Sequence, residues 1–214
     1  MRNTFYKDTN LQKRKNMKKK LLVLLLSSLA TGVMAQSKNF EGPTAALSLS
    51  SIGASTKIDI SGSDLVGVGG QTVVPSLELG YNYAVDNKIL LGLSATYDFT
   101  KINSGEITSA YKLEGQNHFS INIKPSYAVT DSALIYAIIG YNRMKGSVTN
   151  LPESTNFTGI GYGVGALLNI DKNLYLQVEA QRVDFGSQTN TIGGTAVTYK
   201  PSASIAKIGV GYRF

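Results

Sequence analysis

The sequence predicts an all-β fold, an eight-stranded antiparallel β-barrel of the up-and-down type whose strands cross a membrane. Large apolar residues alternate with small or polar ones in eight segments, and short polar turns alternate with long loops between those segments. A period of two residues is that of a β-strand with two different faces. The eight segments are residues 43–53, 74–85, 89–99, 118–129, 133–143, 159–168, 174–181 and 203–214.

The first four segments alternate regularly. Leu47 and Leu49 oppose serines in the first segment, and Leu77 and Leu79 oppose Glu78 in the second. The third and fourth segments repeat this arrangement with leucine, isoleucine and aromatic residues on one face. Each segment is about the nine to eleven residues that a tilted strand needs to cross a bilayer.

The last four segments are less uniform. The fifth carries Leu134, Tyr136 and Ile138 on its nominally polar face, and the polar face of the sixth consists of four glycines. We expect these glycines to leave room for Tyr136 and for Tyr175 of the seventh segment. The eighth segment alternates up to the aromatic residue Phe214.

The connections have two distinct lengths. Short polar turns occur around Asp86, Asp131 and Asp171, whereas Gly/Ser/Thr/Asn-rich stretches of roughly 54–72, 100–114, 145–157 and 186–201 have the composition of loops. Transmembrane barrels have short periplasmic turns and long extracellular loops in this alternation. An even number of strands then places both ends of the barrel on the periplasmic side.

Alternation alone does not decide which face points outward, because a soluble barrel buries its apolar side chains inside. Two observations favour a lipid-facing apolar surface. The other face is dominated by Gly, Ser, Ala and Asn, which suits a crowded interior better than a hydrated exterior. In addition, aromatic residues of the apolar face cluster at both strand ends, as two membrane interfaces require. They are Tyr81, Tyr83, Tyr127, Tyr212 and Phe214 toward the short turns, and Tyr97, Phe99, Phe119, Tyr141 and Tyr162 toward the long loops.

Residues 1–35 have the features of a cleavable signal peptide. Three lysines precede the apolar run 21–26, and small residues follow up to Ala35, which predicts cleavage between Ala35 and Gln36. Residues 1–16 extend the basic region, and Met1 and Met17 are both acceptable starts. The predicted mature barrel domain is 36–214.

The numbers of charged residues, cysteines and histidines exclude several functions. The whole chain has 21 basic and 14 acidic residues, but the first 35 residues contain eight of the basic and one of the acidic ones, so residues 36–214 are neutral. The basic total therefore does not indicate nucleic-acid binding. Cysteine is absent and His118 is the single histidine, so we expect no thiolate site, no metal site that needs two imidazoles and no cofactor.

The C-terminus provides the most specific motif. Lys207, Gly209, Tyr212 and Phe214 follow one another as a polar residue, a glycine, an aromatic residue and a terminal aromatic residue. This pattern resembles the closing strand of bacterial outer-membrane β-barrels, and the chain as a whole resembles the small eight-stranded OmpA/OmpX-like and opacity-type proteins. The resemblance implies an outer-membrane location, contact with outer-membrane lipids and lipopolysaccharide, and reading of this strand by the barrel assembly machinery.

Four charged residues of the inward face carry the main site hypothesis. Glu78, Lys124, Glu179 and Lys207 lie seven or eight residues from the nearest short turn or the C-terminus, so they are expected at one depth of the lumen. Two acids and two bases at one level should pair, because an unpaired buried charge is very costly. Around them we expect a polar shell of Asn82, Asn122, Gln177 and Gln181.

The predicted function is non-enzymatic: envelope integrity and the presentation of surface loops, with adhesion or contact with a host ligand through those loops. Two alternatives stay open. A narrow channel is supported by the polar, charge-balanced lumen and disfavoured by the small diameter of an eight-stranded barrel. A lipid A-modifying enzyme depends on His118 alone, with Ser120 and Glu114 nearby in sequence, which does not amount to a catalytic triad.

Overall fold

The computed structural model describes residues 36–60, 63–108, 111–149, 154–192 and 194–214. The predicted signal peptide, including Ala35 of its cleavage site, lies outside these residues. The described part contains a short 3-10 turn and ten strands, and none of its helices is long and apolar enough to span a membrane. The elements are the turn Ser37–Phe40, β1 (Gly42–Ile60), β2 (Ser63–Ala84), β3 (Ile89–Asp98), β4 (Ile102–Thr108), β5 (Tyr111–Ala128), β6 (Ala133–Val148), β7 (Ser154–Asn169), β8 (Leu174–Phe185), β9 (Gln188–Ile192) and β10 (Thr195–Arg213).

Eight of the strands form a closed ring. They follow the order β1-β2-β3-β5-β6-β7-β8-β10, each antiparallel to its neighbours, and β1 pairs with β10 from Thr44↔Arg213 to Ile60↔Val197. Closure leaves no open sheet edge in the ring, as a hydrocarbon environment requires. The predicted eight-stranded antiparallel barrel is confirmed. The two short strands lie outside the ring, β4 paired with β5 and β9 paired with β10.

The prediction of four long loops is wrong over most of their length. Within residues 54–72 the β1–β2 ladder continues as far as Ile60↔Ser63, and the range 186–201 contains β9 and the start of β10. Residues 100–114 contain β4 and the start of β5, and residues 145–157 contain the ends of β6 and β7. Their composition suggested loops, but hairpin pairing satisfies the backbone amides and carbonyls of these polar segments. The barrel wall therefore continues past its apolar band.

The outer face of the ring is apolar over a band of limited height. Its leucines, isoleucines, valines and most of its aromatic residues are exposed on the outside of the barrel, as predicted for a surface in contact with lipid. Toward the loops the band ends at Leu49 in β1 and Tyr141 in β6, where Ser51 and Arg143 follow on the same face. We call these exposed apolar residues the lipid-facing band.

The inner face forms a filled core with three levels. At the short-turn end lies a cluster that we call the turn-end cluster, and at the opposite end lies the loop-end cluster. Charged residues lie between them: along β8, Glu179 lies between Tyr175 of the first cluster and Val183 of the second. The turn-end cluster contains Phe40, Ala46, Leu90, Ala128, Leu134, Tyr136, Ile138, Leu167 and Tyr175, and the loop-end cluster contains Ile52, Ala54, Val74, Ile102, Met144, Val183, Phe185, Ala203 and Ile205.

Candidate functional site: a buried charge network in the barrel lumen

The structure brings together the four inward charges named above. Each lysine contacts both glutamates: Lys124 Nζ lies 2.6 Å from Glu78 Oε1 and 2.8 Å from Glu179 Oε1, and Lys207 Nζ lies 3.0 Å from Glu179 Oε2 and 3.5 Å from Glu78 Oε2. The four side chains come from β2, β5, β8 and β10. They form a closed ring of alternating charge across the lumen, which we call the charge network.

Burial makes these contacts necessary. The four residues are 5 to 7% exposed, and the side chain of Glu179 has no exposed surface. A buried carboxylate without a cation or hydrogen-bond donor loses its hydration without compensation. Charge balance within the ring offsets that penalty, because each carboxylate faces two ammonium groups.

Neutral donors complete the coordination of the carboxylates. The hydroxyl of Tyr136 donates to Glu179 over 2.9 Å, Gln181 Nε2 donates to Glu179 over 2.8 Å, and the hydroxyl of Thr96 donates to Glu78 over 3.2 Å. Sequence reasoning missed Tyr136 and Thr96 as partners, although both lie on the inward face. Alternation predicts which side chains point inward. Spacing does not show which of several inward hydroxyl groups donates to a carboxylate.

Three members of the predicted polar shell bond elsewhere. Asn82 donates to the Phe40 carbonyl, Asn122 donates to the Ser120 hydroxyl, and Gln177 donates to the Ser48 hydroxyl. These side chains line the lumen at other levels. Of the four predicted shell residues, Gln181 is the one whose hydrogen bond to the charge network is described.

Two tyrosines fill the lumen beside the network, and each lies against a glycine. A Cβ atom added at Gly165 of β7 would overlap the Tyr136 ring, as predicted. The sequence predicted that a glycine of the sixth segment would make room for Tyr175, and this is wrong. The ring of Tyr175 lies over Gly211 of β10 instead. Both tyrosines need a neighbour without a side chain because an eight-stranded barrel is only wide enough for side chains to fill it.

Little space remains beside the charge network and in the loop-end cluster, as far as the described residues line them. The cavity lined by Glu78, Lys124, Tyr136 and Tyr175 has a volume of about 20 Å³, and the one beside His118 in the loop-end cluster has about 10 Å³. A single water needs about 10 to 15 Å³. Neither cavity is large enough for a path of several waters.

His118 lies in a separate polar group near the loop end. Its Nδ1 lies 2.7 Å from Asp98 Oδ2 and its Nε2 lies 3.1 Å from Asn142 Oδ1. The predicted neighbours have other contacts: Glu114 pairs with Lys101, and Ser120 accepts from Asn122. Asp98 could have been found from the sequence, because the depth count applied to the four charges also places Asp98 and His118 at similar heights.

The C-terminal motif is divided between the two faces of β10. Lys207 and Gly209 point into the lumen, where a Cβ at Gly209 would overlap the Ser48 hydroxyl. Tyr212 and Phe214 point outward and form an edge-to-face pair with ring centroids 5.0 Å apart. The strand therefore contributes one cation to the charge network and one aromatic pair to the lipid-facing band.

Comparison with known proteins agrees with this geometry. The family model of the outer membrane protein beta-barrel domain matches residues 21–214. The chain belongs to that family. Its localisation is the bacterial outer membrane, and the resemblance to small OmpA/OmpX-like barrels is confirmed.

Individual proteins are similar to this chain in sequence or in fold. Outer membrane protein X of Escherichia coli K12 is 27% identical over 123 residues, which cover 54% of this chain and 70% of that protein. Outer membrane protein X of Enterobacter cloacae is 29% identical over 141 residues, 61% of this chain and 78% of that protein. The solved structure of OprG from Pseudomonas aeruginosa has a TM-score of 0.53 at 12% identity and covers 85% of this chain and 99% of that one, which shows the fold alone.

Proposed function

We propose that the protein is a non-enzymatic outer-membrane barrel that supports envelope integrity and presents the loop-end extensions of its strands for adhesion. One observation carries the proposal: the lumen is filled, whereas the wall continues well past the lipid-facing band. A filled lumen argues against transport. Paired strands that project from the membrane provide a stable contact surface, and recognition is commonly placed on such exposed ends of rigid scaffolds.

The filled lumen also weighs against the channel alternative. The charge network favours ion passage when considered alone, since it lines the middle of the lumen with charge. However, the turn-end cluster lies on one side of it and the loop-end cluster on the other. An ion would have to lose its hydration twice against apolar side chains, which is very costly.

The enzyme alternative requires a reactive group beside His118. Nδ1 contacts a carboxylate and Nε2 contacts an amide oxygen, and no described hydroxyl is hydrogen-bonded to either nitrogen. The side chain is only 8% exposed. A general base needs a free nitrogen within reach of the proton that it removes, so this environment supports a structural role for the ring.

The extensions can be tested separately from the barrel. β1 and β2 are paired up to Thr56↔Val68, after which the register shifts. Replacing residues 57–67 by Asn-Gly, which favours a tight hairpin turn, should shorten this extension and leave the ladder below it intact. The shortened and complete chains are compared in a strain that lacks the protein.

Two readouts separate the two parts of the proposal. Both chains should restore resistance to bile salts, whereas only the complete chain should restore adhesion of whole bacteria to an epithelial monolayer. Equal adhesion by the shortened chain would contradict presentation by this hairpin. Unchanged bile-salt resistance in the deletion strain would contradict the envelope role. Insertion of both chains is checked by their heat-dependent migration on gels.

A further inference from the structure

The segment before β1 is hydrogen-bonded at or beside each of the three short turns of the barrel. At the first turn, the amide of Ser37 donates to the Asn87 carbonyl over 2.7 Å. Beside the third turn, the side chain of Asn169 donates to a carbonyl of the same segment. Phe40 is fully buried in the turn-end cluster and anchors the segment. These contacts fix the position of Gln36, the first residue of the predicted mature chain.

The contact with the middle turn is made by the backbone nitrogen of Gln36. It donates to Asp131 Oδ1 over 3.0 Å, across 95 positions of the sequence. The side chain of Asn39 donates to the backbone carbonyl of the same aspartate. Asp131 is half-buried, whereas Asp86 and Asp171 of the other two short turns are exposed. Asp131 is therefore the short-turn aspartate whose side chain is directed to the N-terminal segment.

In the described structure, the Asp131 carboxylate has no hydrogen bond to its own turn. The carboxylates of Asp86 and Asp171 each accept from the amide of the next residue, over 2.6 and 2.7 Å. In the middle turn the Thr130 hydroxyl takes this role and accepts from the amides of the two residues that follow Asp131. Among the described residues, no lysine or arginine lies within ion-pair distance of Asp131. Its carboxylate is thus available to a cation from another part of the chain.

We propose that Asp131 binds the α-ammonium group that removal of the signal peptide creates at Gln36. The proposal rests on the predicted cleavage between Ala35 and Gln36. Hydrolysis of that peptide bond consumes one water: its oxygen goes to the Ala35 carboxylate, and its two hydrogens go to the Gln36 nitrogen, which becomes an ammonium group. The atom that donates to Asp131 at 3.0 Å thereby gains a positive charge. Charge-assisted hydrogen bonds are about twice as strong as neutral ones.

This pair connects the processing of the chain with the closing of the turn end. Before cleavage the same nitrogen is a neutral amide and cannot form an ion pair. After cleavage, the pair holds the N-terminal segment against the middle turn, and with it the Phe40 ring in the turn-end cluster. The reaction that releases the barrel from its signal peptide therefore also supplies the cation that secures this end.

The test uses the full chain, exported into a bacterial outer membrane, processed there and purified in mild detergent. Every protein carries Gln36→Ser, because an N-terminal glutamine can cyclise and lose its amine, whereas the proposed pair uses only the backbone nitrogen. Removal of residue 36 by a broad-specificity aminopeptidase is followed by intact mass. Asp131→Asn should accelerate this removal roughly fivefold, the upper end of what an exposed ion pair contributes. The matched controls Asp86→Asn and Asp171→Asn should leave the rate unchanged, because these carboxylates bond to their own turns.

A second background moves the amine and leaves Asp131 in place. One glycine inserted between residues 35 and 36 displaces the new ammonium group by about 3.5 Å, so Asp131→Asn should no longer change the rate of trimming. The proposal is overturned if the mass of the exported chain shows cleavage elsewhere, or if Asp131→Asn trims like the parent. It is equally overturned if either control variant accelerates trimming as much, or if Asp131→Asn has the same effect in the glycine background. Heat-dependent gel migration confirms that each variant is folded.

Discussion

Removal of one carboxylate from the charge network is the most direct test of the lumen structure. Glu179→Gln keeps the shape of the side chain but removes the charge that faces Lys124 at 2.8 Å and Lys207 at 3.0 Å. Breaking a buried ion pair by removing one partner typically costs about 3 to 5 kcal/mol, because the remaining charge stays buried without compensation. The substitution leaves two buried ammonium groups to share Glu78. We expect a loss in the upper part of this range.

The assay is urea unfolding of the barrel in lipid vesicles, followed by tyrosine fluorescence and by gel migration. The matched control is Asp184→Asn, which breaks the exposed pair with Arg182. Exposed pairs contribute about 0 to 1 kcal/mol. Glu78→Gln should cost less than Glu179→Gln, because Glu78 is 3.5 Å from Lys207 and Glu179 is 3.0 Å from it.

A double variant shows whether the loss comes from uncompensated charge. Glu179→Gln combined with Lys207→Gln restores neutrality and keeps the 2.6 Å contact between Lys124 and Glu78. It should be more stable than the sum of the two single losses predicts, with a coupling of about 1 to 3 kcal/mol. Equal losses for Glu179→Gln and Asp184→Asn, or strict additivity in the double variant, would refute the argument from burial.

Three further results are expected. Gly165→Ala should destabilise the barrel by about 1 to 3 kcal/mol through overlap with the Tyr136 ring, whereas Gly53→Ala, whose nearest neighbouring atom would be 3.9 Å away, should change the free energy of unfolding little. Removal of Phe214 should reduce assembly into the outer membrane of living cells but not refolding in detergent, and Phe99→Ala, from the edge-to-face pair at the other end of the band, should reduce assembly much less. The refolded barrel should be silent in a planar bilayer, and discrete openings that change in Glu78→Ala would instead establish a channel.

The sequence predicted the faces of the strands better than their ends. Alternation placed Glu78, Lys124, Glu179 and Lys207 inside, because a period of two fixes the face of every residue in a strand. A depth count from the short turns then placed them at one level. Both steps depend on local geometry. Closure of the barrel then brings side chains at the same depth into contact.

The prediction of loops from amino-acid composition was wrong where pairing between strands decides the structure. Residues 54–72 contain many small polar residues, and nothing local distinguishes a loop of that composition from a hairpin whose partner completes its hydrogen bonds. The hydrogen-bond partners inside the lumen were equally beyond sequence reasoning. Tyr136 of β6 reaches Glu179 of β8 over the intervening strand β7, because Gly165 gives its ring room, and such a contact depends on three strands at once.

The projecting part of the wall sets where another molecule first meets this protein. β1 runs eleven residues beyond Leu49 before it ends at Ile60, about 35 Å along the strand and about 25 Å in height at the usual tilt. The end of β1 at Ile60 is paired with Ser63 of β2 and with Val197 of β10, so this end of the strand is part of the barrel wall. The direction that it faces around the barrel changes only when the whole barrel rotates in the membrane. Neighbouring barrels that are held side by side would present these strand ends at a constant spacing, so a crowded patch of this protein would act as a regular array.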